Sequence, residues 1–600
     1  MEEEKTREEK RIYTQPTFLI SLFLMVIFVM FGVVATESLG KGVSAAFDFM
    51  VKNLGWSFIL GVCVFLFLII YLLLSPLGKI KLGKDEEKPA YSNLPWFAML
   101  FSCGMGIGLL FWGVSEPIWH YMWPPYGEAN TSEAVHVAMR YAFFHWGFHP
   151  WAIYAVVAGS LAYFSYRRRL PMLLSSTLEP ILGREKIHGG WATMVNVIGV
   201  FATLFGLATS LGLGAMQIGS GLESLLGIPS TAGVWVVIVV VITAVAVIST
   251  VTGINRGIKY LAQFNIIIAA LLMGMVLVVG PTLFILRIFT NATGEYLQNI
   301  LQMSFHMDPA GTGSEGWTGT WTIFYWAWWI AWAPFVGTFI ARISRGRTIR
   351  NFIIGVLLVP TGVSLVWFSV FGGSALFIEH LGAGGIADAV SKDSAAGFFA
   401  FLSTLPVPNV LIAVAMLSVA VFFITSLNSG TYVNSMLTSH GNPNPPVLMR
   451  FIWGILEGAI AAVLLFSGGL EALQTASVVG GFPFMIIMFL MLYCLFKALR
   501  AQLKAGPMPP ERETKKSGSG SFESVNSGML PPRENFPRRH KRLIRKNMFG
   551  FDGFVCQKFR LYHCKYGTGE RSRGIETIAG SYPQNILLKV NASLTKGDVP

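Results

Sequence analysis

Residues 94–113 read LPWFAMLFSCGMGIGLLFWG, twenty residues with no charged side chain and with glycines at 104, 106 and 108. A run this long and apolar matches the roughly 20 residues that a helix needs to cross a bilayer core about 30 Å thick. Three glycines at alternate positions make a poor helix, because each leaves the backbone unrestricted. The stretch therefore predicts a membrane helix with an unwound centre, whose freed carbonyls can coordinate a small cation. Close helix packing through Gly104 and Gly108, four apart, accounts for the same residues on spacing alone.

Outward from this stretch, hydropathy marks further candidate spans at 15–37, 55–76, 140–164, 191–222, 231–251, 260–287, 319–341, 351–377, 398–428, 450–467 and 474–498, twelve with the first. Composition agrees: 53% of the 600 residues are hydrophobic and 13% charged, and the mean hydropathy is +0.57, values of a membrane protein. Basic residues test the count, since short cytoplasmic loops are enriched in Lys and Arg. With the N-terminus inside, the inner loops hold Lys79, Lys81, Lys84 and Lys88, then Arg167–Arg169 with Arg184 and Lys186, Arg256 with Lys259, Arg342, Arg345, Arg347 and Arg350, and Arg450. The outer loops are nearly bare, with Lys41, Lys52 and Lys392 as the main exceptions. Twelve spans with both termini cytoplasmic preserve this alternation.

The formal charge of +13 does not point to nucleic acid, because residues 501–600 alone hold 18 Lys/Arg against 8 Asp/Glu. Past Lys504 the chain turns Pro/Gly/Ser-rich and then strongly basic at 538–546, which predicts a disordered cytoplasmic tail over 504–600. Such a cluster can bind anionic lipid, or serve only as a positive-inside anchor. The N-terminal MEEEKTREEKR precedes a full-length span without a cleavage site, so it reads as the cytoplasmic start (1–14) of a retained first helix. Cys63, Cys103, Cys494, Cys556 and Cys564 lack metal-ligand spacing, and neither zinc nor a disulfide framework is expected.

The span at 319–341 carries Trp321, Tyr325, Trp326, Trp328, Trp329 and Trp332 before Pro334 and Phe335. Aromatic belts sit at the membrane interface, yet eleven residues of helix extend about 16 Å at 1.5 Å per residue, toward the bilayer centre. Spacings of three and four place Trp328, Trp329 and Trp332 on one face. The span at 140–164 adds Trp146, Trp151 and Tyr154 around Pro150. Rings from two helices can box a quaternary ammonium, each contact contributing about 0.5–2 kcal/mol; ordinary aromatic packing is the competing reading. In the span at 398–428, Phe422, Thr425 and Ser426 fall at i, i+3 and i+4, putting two hydroxyls on one face. Hydroxyl oxygens suit an alkali cation, although such residues often bond their own backbone. Opposite the unwound 104–108 segment they would complete a sodium site.

Two long motifs, GMGIGLLFWGVSEP at 104–117 and the Trp-rich span running into ARISRGRTIR at 341–350, resemble the betaine/carnitine/choline transporter family, with similarity over about 12–505. The resemblance implies an all-α integral membrane fold with two inverted five-helix repeats of the LeuT-like kind, at 94–287 and 319–498. Two extra helices at 15–76 precede them. It implies an unwound segment near the start of each half, the second at Trp326–Pro334. It places Trp146, Trp151, Tyr154, Trp328, Trp329 and Trp332 on the family's aromatic substrate positions, beside Trp326. Ser102, Met105, Phe422, Thr425 and Ser426 fall on one sodium site, and Thr203 with Phe335 on a second, in which Leu207 replaces a threonine. Gly108 stands where proton-coupled choline carriers have Asp, Ile266 where a carnitine exchanger has Arg, and Asn428 where betaine carriers often have Asp.

These features together predict a plasma-membrane carrier importing a small zwitterionic osmolyte, most simply glycine betaine, with sodium as coupling ion, no other cofactor, and a trimeric assembly implied by the resemblance. A sodium-independent carnitine/betaine exchanger, a choline or ectoine carrier, and a transporter-like osmosensor or channel are the alternatives. No catalytic constellation lies at membrane depth, and Glu116 beside Pro117 reads as a structural or gating carboxylate.

Overall fold

The computed structural model describes residues 12–104, 106–251, 255–309 and 316–506, with the backbone alone described at 101–104 and 255–262. Met105, the Ser102 side chain, the first eleven residues and the basic tail beyond 506 lie outside those described residues. Within them the chain is helical, with one isolated β-bridge between Lys81 and Thr348 and no strand. Bilayer-spanning structure demands this, since every backbone N–H and C=O must find its partner within the protein.

In chain order the main helices are α1 Pro16–Val34, α2 Thr36–Leu74, α3 Asn93–Gly104, α4 Ile107–Met122, α5 Ser132–Trp146, α6 Phe148–Ala162, α7 Gly190–Leu226, α8 Ala232–Val251, α9 Asn255–Val279, α10 Thr282–Ser304, α11 Phe324–Ile343, α12 Ile349–Leu381, α13 Pro408–Leu437 and α14 Val447–Ala505. Among the described residues eight helices are long and apolar enough to cross a membrane, or nine if the bent pair α9–α10 forms one span. The chain is thus a multi-pass membrane protein. The twelve stretches marked by hydropathy map onto these helices in three ways. Six are single helices; the third, fourth, seventh and tenth each take in two helices. The last two form one run, α14, bent at Gly468 and at Gly469, whose φ of 56° suits glycine.

The break between α3 and α4 falls where the glycines predict it, with Gly106 at φ −152° and ψ −142°. Three other breaks differ from the sequence reading. The span expected at 260–287 ends at Val279, and α10 leaves it at 109°, because Gly280 and Pro281 interrupt an apolar run that hydropathy reads through. The span expected at 398–428 is a short helix, Gly397–Ser403, followed by α13 from Pro408. In the 140–164 stretch the helix restarts at Gly147, where a Cβ would collide with the Tyr296 hydroxyl; that hydroxyl accepts a 2.9 Å bond from the Phe148 N–H. Conversely, the unwinding expected at Trp326–Pro334 is absent. α11 is continuous through Pro334, preceded by a π-helical turn at Gly319–Ile323. A proline inside a membrane helix is tolerated where neighbouring groups and small backbone adjustments absorb the lost hydrogen bond.

Position in the bundle follows composition. The most apolar window of α11 is 94% buried and that of α7 89%, against 28% for α1 and 33% for α8. The central helices approach closely through small residues, Gly206 of α7 against Ala331 and Trp332 of α11, and Gly337 of α11 against Val157 of α6. The outer helices instead expose Phe23, Val34, Val237 and Ile248, an apolar surface that suits lipid. One end of the bundle is tied by ion pairs, Arg167–Asp85 and Arg345–Glu87, and by Arg347 stacked 3.7 Å over the Trp96 ring.

Candidate functional site

α11 is buried on all sides, so its aromatic residues pack on protein and not on lipid; Trp326, Trp328, Trp329 and Trp332 are each at most 4% exposed. Trp328 and Trp329 stack nearly parallel, with centroids 4.8 Å apart at 14°. Trp146 of α5 stands edge-on to both, 4.9 Å from Trp329 and 6.5 Å from Trp328. From α6, Tyr154 approaches Trp329 at 6.3 Å, and Trp151 packs on Tyr154 at 5.4 Å. Trp332 extends the face 6.2 Å beyond Trp328 and meets Phe335 edge-on. Six of the seven aromatic residues marked by sequence thus join in one continuous set. Trp326 lies apart, stacked on His149 at 5.2 Å and packed on Phe144.

The polar edges of four of these rings are already engaged. Trp328 and Trp332 both donate to the Gly206 carbonyl, at 3.3 and 2.9 Å, and Trp329 donates to the His145 carbonyl at 3.1 Å. Trp146 donates to Glu116 Oε2 at 2.7 Å. What a ligand can meet is therefore π face and ring edge, with few free hydrogen-bonding groups on the indoles. That chemistry favours a cation lacking N–H donors.

Glu116 of α4 organises the set from behind and is fully buried. Oε2 accepts from Trp146 and from the Tyr325 hydroxyl, while Oε1 meets His145 Nδ1 at 2.8 Å and His120 Nε2 at 3.3 Å. His145 Nε2 continues to Thr322 Oγ1 at 3.0 Å. Glu116, His120 and His145 have the spacing of a metal-ligand group. Glu116 nevertheless reaches each histidine at hydrogen-bond distance, and the geometry is that of a hub fixing ring orientation. The sequence reading marked Glu116 but missed its partners; the available signals were Glu116 and His120 four apart, and His145 adjoining Trp146.

The glycine break faces this aromatic face directly. A Cβ built at Gly108 would lie 2.9 Å from both Trp146 and Trp328, so the absence of a side chain there lets the rings close on the backbone. At Gly106 the corresponding atom would lie 3.7 Å from Ser426 Oγ and 3.9 Å from Trp332. The break, the α13 hydroxyl and the aromatic set thus converge at one place. Phe422, Thr425 and Ser426 are half-buried on α13, but Thr425 Oγ1 donates to the Val421 carbonyl of its own helix at 2.9 Å. Thr203 Oγ1 likewise donates to Gly199 O at 2.8 Å, and Leu207 packs against Gly430. Thr203 lies one turn along α7 from Gly206 and Phe335 one turn along α11 from Trp332, on either side of the α7–α11 contact. Asn428 bonds Ser249 and Thr250 of α8.

Membrane-crossing helices around a broken segment, with a buried aromatic site at the break, define a multi-pass membrane carrier. Comparison with known proteins places it further. Residues 16–504 match the model of the betaine/carnitine/choline family transporters, and the chain belongs to that family. It is 48% identical over 472 residues to the glycine betaine transporter OpuD of Bacillus subtilis, covering 78% of this chain and 91% of that protein. It is 43% identical over 485 residues to a probable glycine betaine transporter of Desulfitobacterium hafniense, covering 80% and 97%. To the ectoine/hydroxyectoine transporter of Virgibacillus pantothenticus it is 41% identical over 485 residues, covering 80% and 96%. The chain is accordingly a secondary transporter and not an enzyme.

Proposed function

We propose that the protein imports a quaternary-ammonium osmolyte, most simply glycine betaine, driven by sodium. The observation that carries the reading is the consumption of every indole N–H of Trp146, Trp328, Trp329 and Trp332 by the protein itself. The faces left over attract a trimethylammonium group, which neither needs nor offers a hydrogen bond. Relatives that transport glycine betaine support the same substrate class. The substrate carboxylate would meet backbone amides freed at the Gly106 break, where α4 begins.

Sodium would bind between the break and α13, using Ser426 and its neighbours Phe422 and Thr425, with Ser102 and Met105 from the α3 side. Because Gly106 approaches both Ser426 and Trp332, an ion there stabilises the arrangement that also assembles the rings. Each ligand then raises the other's affinity by the same factor. Thr203 and Phe335 are the candidates for a second sodium. Twelve crossings, two inverted repeats at 94–287 and 319–498, cytoplasmic termini, a plasma-membrane location and a trimer complete the proposal.

One observation favours a second reading. Beside Thr203, Leu207 offers no oxygen to an ion and packs toward Gly430 instead, as expected of a carrier that exchanges substrates without sodium. Uptake of labelled betaine into proteoliposomes decides between them. Replacing sodium by potassium at constant osmolarity should lower concentrative uptake at least tenfold; undiminished counterflow would establish exchange. In competition, carnitine and proline betaine should displace label better than ectoine, and the reverse order would overturn the ring-face argument.

A further inference from the structure

A second buried carboxylate, Glu457 of α14, lies outside the aromatic site and has a different environment. It is fully buried. Oε2 accepts from Thr431 Oγ1 at 3.0 Å and Oε1 from Asn434 Nδ2 at 2.9 Å, both donors neutral and both on α13. The helices set against this part of α14 are α1, through Phe18 on Trp453, α8, through Thr243 on Gly458, and α13. None of the three contains a Lys, Arg, His, Asp or Glu. Tyr432 of α13 directs its hydroxyl to the Pro443 carbonyl. On α14 itself the neighbouring charge is Arg450, seven residues or about 10 Å along the helix, with Nη1 on the Thr250 carbonyl.

Around Glu457 there is also a surplus of oxygen. Asn434 Oδ1, Ser435 Oγ on the next residue of α13, and Thr243 Oγ1, which a Cβ at Gly458 would touch, are buried without hydrogen-bond partners. Asn434 is held to Glu457 through the other end of its amide, so its Oδ1 lies beside the carboxylate. Among the described residues this carboxylate has two neutral donors and no counter-ion, and a carboxylate so placed at membrane depth lacks one unit of positive charge. A single carboxylate suits one such unit and not a divalent ion.

We propose that Glu457, Thr431, Asn434 and Ser435 form a binding site for one monovalent cation, a proton or Na⁺. A bound proton makes the carboxyl a donor, which Asn434 Oδ1 or Ser435 Oγ accepts. Na⁺ takes the same oxygens as ligands. The site is distinct from the one at Ser426, since Asn434 lies eight residues, about 12 Å, further along α13. Both sites nonetheless act on one helix.

The test uses the purified full-length protein without substrate, comparing the thermal unfolding midpoints of wild type, Glu457→Gln and Ser426→Ala. Conditions run from about pH 5 to 9, in Na⁺ or in N-methyl-D-glucamine. A proton site gives a wild-type midpoint that falls with rising pH, flattened in Glu457→Gln, together with an infrared carboxyl band missing from that variant. A Na⁺ site leaves a sodium-dependent rise in Ser426→Ala and makes the rise in Glu457→Gln smaller than in wild type. Identical pH and sodium responses in wild type and Glu457→Gln, with identical carboxyl bands, overturn the proposal. Should Glu457→Gln fail to fold, Thr431→Val removes one donor to the carboxylate and should move the pH-dependent fall to higher pH or weaken the Na⁺ response about tenfold; an unchanged response in that variant overturns it equally.

Discussion

The aromatic face of α11 and the hydroxyl face of α13 meet at the same glycine break, yet they are built on opposite principles. On α11 the donors Trp328, Trp329 and Trp332 are all committed, as is Trp146 from α5, and Glu116 holds the assembly with contacts from four side chains. On α13 the hydroxyls are only half-buried, and Thr425 satisfies itself within its own helix. The first face is preorganised. The second keeps its hydroxyl lone pairs for an ion, because Thr425 commits only its proton to its own helix. The difference teaches where affinity and where coupling reside: a rigid ring set supplies binding, whereas half-buried hydroxyls that an ion can order supply the coupling.

The largest effect should come from breaking the rigid side. Trp329→Leu removes the ring nearest Trp146, the stack on Trp328 and the contact with Tyr154. At about 1 kcal/mol for each of two ring contacts with a cation, substrate affinity should fall about 30-fold. Binding to purified protein measures this apart from abundance, and an equal loss of folded protein would show the ring to be structural only. Next, Gly108→Ala drives a Cβ to within 2.9 Å of Trp146 and Trp328. Overpacking of this kind costs about 1–3 kcal/mol, so affinity should drop about tenfold while sodium dependence persists. Tolerance of the alanine would mean that the rings are not held as firmly as Glu116 implies.

Ser426→Ala tests the other side, and its effect should be smaller and of a different kind. The sodium concentration for half-maximal uptake should rise about three- to tenfold, with substrate affinity at saturating sodium unchanged. A fall in substrate affinity at saturating sodium would merge the two faces into one site. Glu116→Gln sharpens the same distinction, since it keeps the shape but alters the hydrogen bonds from Trp146, Tyr325 and His145; it should move substrate affinity and leave the sodium requirement alone.

How far the sequence reveals this contrast depends on the range of the interaction. Hydropathy finds the membrane segments because twenty apolar residues suffice to identify one, and the glycines at 104–108 mark a real break because their effect is local. Gly147 and Gly280–Pro281 also break helices, but their apolar neighbours hide them in a window average. Pro334 misleads in the other direction, because surrounding helices hold α11 straight. Ring spacing gives the face of Trp328, Trp329 and Trp332. It cannot give Gly206 as the acceptor for two of them, since that carbonyl arrives from a helix more than 120 residues away. Glu457 escapes notice for the same reason: its lack of a counter-ion is a property of three neighbouring helices taken together.

The smallest effect concerns a loop contact just beyond α13. His440, with φ 56°, packs edge-on against His188, their rings 5.2 Å apart. Burial, and to a lesser degree the neighbouring imidazole, pushes the His440 pKa below its ordinary 6.5. The unfolded chain therefore binds the proton more readily than the folded one. The contribution to stability is present above about pH 6.5 and is lost as pH falls through the lower folded value. The loss should stay below about 1 kcal/mol, because the pair is half-exposed and screened. His440→Asn removes the titration while suiting the left-handed backbone, which Asn adopts readily. Its unfolding midpoint should drop less than that of the wild type between about pH 7.5 and 5. This slope is opposite in sign to the one a proton at Glu457 produces, so the two are separable in one titration. If His440→Asn instead abolished a decline at high pH, the titrating group near α13 would be the loop pair and not the buried carboxylate.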